Sequence, residues 1–225
     1  MALSDWTQIT VGAPTVDINS ASPIFGPGSL RLVSNGGDST GGDLVTLTED
    51  NYTKGLTRGR MRQLVRIEGL GDASTECGFF FMASALDVTT SGDCYSYSVR
   101  GTDPANYEMV LNYHDLGLGL DSAGGFSLFT GPVFSVTPGV TIVAMEVEWQ
   151  VEPGLLNGIQ IILRQGAGLL TDFTNLSEIG RVVVFQEEDE FIGLSNAEGV
   201  YMDGGLTGTQ TYVIDRTSII GLTPI

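Results

Sequence analysis

Residues 141 to 152 read TIVAMEVEWQVE. In an extended chain Val143, Met145, Val147, Trp149 and Val151 point one way, and Ala144, Glu146, Glu148, Gln150 and Glu152 the other. Period-two alternation over twelve residues describes a strand with one buried face and one wet face. Asn157-Gly158 follows, a pair that supplies the positive φ angles of a tight turn. Ile159, Ile161 and Leu163 then alternate with Gln160 and Arg164, so residues 141–164 read as a hairpin whose loop Glu152-Pro153-Gly154 lengthens.

The same reading extends along the chain. Strands are expected at Ser29 to Val33, Arg60 to Glu68, Gly78 to Ala83, Cys94 to Arg100, Tyr107 to Tyr113 and Thr211 to Ile220. Phe79, Phe80 and Phe81 stand in a row, the pattern of a strand covered on both faces. Glycine, asparagine, aspartate, serine and proline gather between these runs. Helical periodicity is nearly absent; one turn is expected at Thr171 to Ile179, capped by Asp172 or Thr174. No composition break and no repeat divides the 225 residues. About a dozen strands with regular turns predict an all-β fold, one antiparallel two-sheet β-sandwich spanning residues 1–225.

Composition removes several function classes. The chain carries 27 acidic and 10 basic residues, a formal net charge of −17, with 42% hydrophobic residues and 31 glycines. That is too apolar for a disordered acidic chain. No apolar run of about 18 residues exists, so no membrane-spanning helix is expected. The charge repels phosphate backbones, so no nucleic-acid partner is expected. Residues 1–10 lack a basic start and a continuous apolar stretch, which predicts no signal peptide and folding in a reducing cytoplasm with Cys77 and Cys94 as free thiols. The alternative is a bridge between them, because they fall on candidate neighbouring strands, although with offset registers. With one histidine and no C-x-x-C pair, a Cys/His zinc site is not available, and no cofactor is called for.

Five of the ten basic residues, Lys54, Arg58, Arg60, Arg62 and Arg66, fall within 13 positions without an intervening acid. Two readings stand. Either this is an exposed strand face neutralised by acids elsewhere, for which the Glu146–Glu152 face is the natural partner, or Arg58, Arg60, Arg62 and Arg66 contact an acidic partner.

Trp6, then Gly28-Ser29-Leu30-Arg31-Leu32 before a Gly-rich loop, then the strand entered at Gly59 with Met61, resemble the opening of concanavalin A-like lectin/glucanase jelly rolls. The hairpin with Trp149 and the terminal Tyr212-Val213-Ile214-Asp215-Arg216-Thr217-Ser218-Ile219 resemble that group's later strands. The resemblance implies a jelly roll whose first and last strands share a sheet. Its laminarinase-like glucanases carry Glu-x-Asp-x-x-Glu or a one-shorter variant on one strand. Here the run is Glu146, Glu148 and Glu152, with Glu for Asp and the last acid displaced, flanked by Ala144 and Gln150 rather than aromatics. Glycoside hydrolysis needs two carboxylates roughly 5–10 Å apart, and alternate residues on a strand face sit about 6.6–6.8 Å apart. Spacing therefore permits the chemistry while the motif departs from it, and a solvated face is the expectation.

Other motifs are thinner. No Gly-x-Ser-x-Gly elbow is present, and His114 beside Asp115 reads as a loop residue without a nucleophile. Asn35 to Asp38 and Gly41 to Asp43 are rich in oxygen ligands but lack calcium-loop spacing. Glu187-Glu188-Asp189-Glu190 reads as an exposed loop tip or docking spur. Tyr95, Tyr97, Tyr107 and Tyr113 are either a sugar-stacking stripe or packing between sheets. The acidic, Gly-rich surface and absent active-site motif resemble the bacteriophage virion members of the group. The resemblance therefore implies a non-enzymatic virion structural protein, a capsid decoration or tail/fibre component, that contacts other virion proteins and forms a homo-oligomer. The alternative is a lectin-like module recognising a host glycan.

Overall fold

The computed structural model describes residues 6–35, 44–49, 57–69, 75–85, 88, 92–103, 105–114, 120, 125–152, 158–168, 172–188, 190, 197–204 and 209–222. Their secondary structure is extended throughout. The strands are β1 (Trp6–Val11), β2 (Thr15–Asn19), β3 (Ser29–Ser34), β4 (Leu44–Glu49), β5 (Arg58–Ile67), β6 (Glu76–Ala83), β7 (Cys94–Asp103) and β8 (Asn106–His114), followed by β9 (Phe126–Thr130), β10 (Phe134–Ser135), β11 (Ile142–Glu152), β12 (Gly158–Gly168), β13 (Ser177–Phe185), β14 (Ala197–Asp203) and β15 (Gln210–Gly221).

They form two antiparallel sheets. One runs β1-β4-β14-β6-β7-β8-β10, with β9 also paired to β8; the other runs β13-β12-β11-β5-β15-β3-β2. The architecture is the two-sheet sandwich that the alternation predicts. The hairpin of β11 and β12 pairs in register from Ile142↔Gly168 to Glu152↔Gly158. The terminal strand β15 pairs β3 and β5, whereas β1 enters the opposite sheet beside β4. The first and last strands therefore do not share a sheet, contrary to what the resemblance implies; the early strands that join β15 are β2 and β3. No helix forms at residues 172–179: Asp172 accepts hydrogen bonds from the Thr174 amide and hydroxyl in a local turn, and the chain becomes edge strand β13 from Ser177. The cap residues are real, but the following residues find strand β12 to pair with, and ladder bonds replace a helical turn.

The core fills between the sheets from alternate positions of every central strand. Trp149 stacks on Phe81 with ring centroids 5.1 Å apart, Phe81 on Tyr95 at 5.6 Å, and Tyr95 tilts against Tyr113 at 5.4 Å. Tyr95, Tyr97, Tyr107 and Tyr113 are all buried, so they are packing between sheets and not a sugar-stacking stripe. The Phe79–Phe81 run meets its reading: Phe79 and Phe81 enter the main core, while Phe80 faces outward into a second cluster with Cys94, Val88, Leu120 and Tyr201. Cys77 and Cys94 are free and buried, the first in the main core and the second in that outer cluster. A third cluster forms on the outer face of the seven-stranded sheet, where Ile24, Phe173 and Leu176 cover Leu64, Ile142 and Ala144.

Gly59 lies opposite Trp149 in the β5–β11 register, and a methyl at Gly59 would overlap the indole ring. Overpacking of this kind costs about 1–3 kcal/mol. Gly59→Ala is expected to lose that amount in urea denaturation with an unchanged slope; an unaltered midpoint would show that the indole has room to shift.

Candidate functional site

On the outer face of the seven-stranded sheet, Arg62 pairs across to Glu146 and Arg60 to Glu148. Glu146, only 2% exposed, takes the guanidinium of Arg62 on one oxygen and that of Arg164, from β12, on the other. Glu148 is also buried, and receives Arg60 at 3.0 Å, Arg58 at 3.1 Å and Arg164 at 3.4 Å. Arg66 turns away to Glu68 and to the Ser22 carbonyl oxygen at 2.6 Å. Thus Arg58, Arg60, Arg62 and Arg66 all meet carboxylates of their own chain. The neighbouring strand that could neutralise the ladder is present.

Glu146 and Glu148 are not the solvated face expected from sequence. The guanidinium groups lie over them and exclude water while supplying the counter-charge a buried carboxylate needs. Burial pushes the Glu148 carboxyl up, but hydrogen bonds from Arg60 and Arg58, with their charge, outweigh it and hold it below the ordinary range. A glycosidase general acid requires the opposite displacement, so Glu148 is tuned away from that role. Lys54 and the Glu152 side chain lie outside the described residues.

The outer face of the eight-stranded sheet differs. Asp203, Glu76, Arg100 and Glu108 stand in register on β14, β6, β7 and β8 and form one polar row across four strands. All four are half-buried. Arg100 donates to Glu108 at 2.6 Å and lies 3.8 Å from Glu76. The next row adds Tyr201 and Ser98, both of which donate to Glu76 Oε2, at 2.6 and 2.9 Å. Beyond Phe80 and Ser96 the face closes beneath Leu120 and Val88. Desolvation raises the Glu76 carboxyl above its usual value, against the lowering effect of the Tyr201 and Ser98 hydroxyls. Desolvation and the adjacent Glu76 charge likewise push the Tyr201 phenol well up.

His114 is not a loop residue. It ends β8, buried on this face, with Nε2 2.9 Å from Ser96 Oγ. The separation is that of a nucleophile and its base, and a partner that sequence reading did not find. Ser96, however, is fully enclosed, and Gly125 packs against the imidazole ring. An enclosed hydroxyl has no path to an acyl substrate, so the pair orients the histidine instead. The signal for this face was available in the alternation: Ser96, Ser98 and Arg100, and Glu108, Asn112 and His114, occupy the positions between buried aromatics on β7 and β8. Tyr201, Glu76 and Asp203 had no such mark, because only the crossover that brings β14 beside β6 gathers them.

Among the described residues no cluster of three or more His, Cys, Asp or Glu side chains could hold a metal ion. Residues 36–43 of the oxygen-rich loop lie outside the described residues. Glu187 and Glu188 are exposed beyond β13, as a loop tip would be.

No protein-family profile matches the chain, and no curated protein matches its sequence. Solved structures do. An endo-β-1,4-glucuronan lyase from the fungus Trichoderma reesei superimposes with a TM-score of 0.60 at 14% identity, over 98% of this chain and 92% of that one. A carbohydrate esterase from the Shiga toxin-encoding bacteriophage phi24B gives 0.54 at 12%, over 97% and 91%. A legume lectin-like domain from Entamoeba histolytica gives 0.55 at 8%, over 98% and 92%. The fold is therefore that of the concanavalin A-like jelly-roll sandwiches, which these neighbours use for catalysis and for binding alike.

Two consequences can be measured. Glu146→Gln leaves Arg62 and Arg164 facing a neutral amide, and hydrogen bonds to charged groups contribute about 1.5–3 kcal/mol each; a loss of at least that size at pH 7 is expected in urea unfolding, where an unchanged midpoint would restore the solvated-face reading. Glu76 has the opposite sign. Its folded-state pKa lies above the ordinary 4.5, so its contribution is full below that pH and is lost as pH rises through the raised value. Glu76→Gln should therefore be more stable than the parent at pH 7, the two converging below pH 4; parallel pH profiles would contradict the assignment.

Proposed function

We propose that the chain is a carbohydrate-binding protein, non-catalytic, that meets a neutral saccharide along the Asp203–Glu76–Arg100–Glu108 row. The observation that carries this reading is the row itself: three carboxylates and one guanidinium, in register on four adjacent strands and partly exposed, the Arg100 side chain by 28% and those of Glu76 and Glu108 by 13% and 12%. Carboxylates accept hydrogen bonds from adjacent sugar hydroxyls, and Arg100 donates between them. A sheet supports such groups rigidly, so little ordering entropy opposes binding. The concanavalin A-like fold of lectins and carbohydrate-active enzymes agrees with this reading.

Charge selects the class of sugar. The row is acid-rich and the chain carries −17, so a polyuronate is repelled both at long range and at contact. A neutral glycan meets neither penalty. Glu148, held below the ordinary carboxyl range, and the enclosed Ser96–His114 pair both support binding without turnover.

The bacteriophage origin of one structural neighbour supports a second reading, attachment to a virion as a structural component in homo-oligomeric form. Mass spectrometry of purified particles tests it, and absence from them would sink it.

A glycan array followed by calorimetry tests the first reading. Binding to neutral oligosaccharides is expected, weakened at least tenfold by Glu108→Ala together with Asp203→Ala, with no released product on prolonged incubation. Binding confined to polyuronates, or none across the array, would overturn it.

A further inference from the structure

Eight of the nine arginines, Arg31, Arg58, Arg60, Arg62, Arg66, Arg100, Arg164 and Arg181, form ion pairs with described carboxylates of the chain. Arg216 forms none with any described residue. In a protein with 27 acids and 10 bases that is the exception to account for. Its backbone is the second exception: Arg216 has φ of +50°, within the bulge that interrupts the β15–β5 register between Asp215 and Ser218. A non-glycine residue there is strained, and such strain persists where it aims a side chain.

The bulge sets the Arg216 guanidinium on the Phe25 ring, 3.7 Å from its centroid. Phe25 is 50% exposed. The nearest carboxylate in sequence, Asp215, is already satisfied by the Ser29 hydroxyl at 2.6 Å, the Phe25 amide at 2.9 Å and the Arg216 amide at 2.7 Å. Asp172 feels the Arg216 charge without reaching ion-pair distance. The stacked guanidinium is thus a planar fork of donors, pre-oriented on an exposed aromatic ring, the pairing found in protein interface anchors.

We propose that Arg216, stacked on Phe25, is a docking point for an acidic protein segment whose carboxylate takes the guanidinium fork while an adjacent apolar side chain covers Phe25. Charge complementarity selects the occupant: the site offers a cation with no ion pair among the described residues beside an exposed aromatic ring, which a carboxylate next to an apolar side chain matches. The face belongs to the seven-stranded sheet, so it is separate from the polar row and does not depend on the carbohydrate reading.

The test uses isotope-labelled protein titrated with an acidic peptide of alternating glutamate and leucine, and in parallel with a glucuronate disaccharide and with sodium chloride at matched ionic strength. The Nε–Hε resonance of Arg216 should shift saturably with the peptide, while the ion-paired arginines serve as internal controls and stay in place. Arg216→Gly removes the fork and relieves the positive φ; its melting temperature should equal or exceed the parent's while calorimetry detects at least tenfold weaker peptide binding. Phe25→Ala should weaken binding with the fold intact. Shifts matched by salt alone, a response to the disaccharide without one to the peptide, binding retained by Arg216→Gly, or a melting temperature that falls in that variant would each overturn the proposal, the last by showing that the strained arginine serves the fold.

Discussion

A carboxylate as buried as Glu146 costs several kcal/mol unless a counter-charge reaches it, and Arg62 and Arg164 reach it only in one alignment of β5, β11 and β12. Sliding β5 or β12 by one residue against β11 would drive its arginine side chains into the core and lift Met61 and Val65, or Ile161 and Leu163, to the outer face. The ion-pair plate and the aromatic core therefore specify the same register from opposite faces of the same strands. Gly59 adds a third condition, since only a residue without a side chain fits beneath the indole. Around this central trio the seven-stranded sheet is assembled, and against it the second sheet packs.

The two outer faces then diverge in chemistry. On the seven-stranded side the charges neutralise one another, and their main product is a fixed register. On the eight-stranded side Glu76 is surrounded mostly by hydroxyls, with one guanidinium 3.8 Å away, and desolvation prevails. A carboxyl whose charge is disfavoured by desolvation suits hydrogen bonding to a neutral ligand more than ion pairing. The same sandwich can thus carry a structural face and a recognition face, because strand alternation separates each from the shared core.

Arg216 belongs to neither arrangement. Its strain and its exposed aromatic support are costs to the folded chain, while the eight other arginines are each held by an acid. An acidic protein gains solubility from its net charge but has few sites able to hold an acidic partner; a single pre-oriented guanidinium gives orientation where the overall field gives none.

The alternation of TIVAMEVEWQVE, the phenylalanine run and the turn residues between strands determine by themselves that this chain is a β-sandwich, because a period of two admits one buried face per strand. They also mark which side of β7 and β8 carries serines, Arg100, Asn112 and His114. Tertiary structure alone decided the partners. Glu146 looked solvated because its burial is caused by arginine side chains 84 and 18 positions away in sequence, and burial by a neighbouring strand leaves no trace in local pattern. Ser177 to Ile179, expected in a helical turn, became strand because β12 offered a ladder. Glu76 and Tyr201, 125 residues apart, share a proton environment only because β14 crosses to lie beside β6. Periodicity encodes which face a side chain takes; which strand lies next to it is a property of the closed sheet.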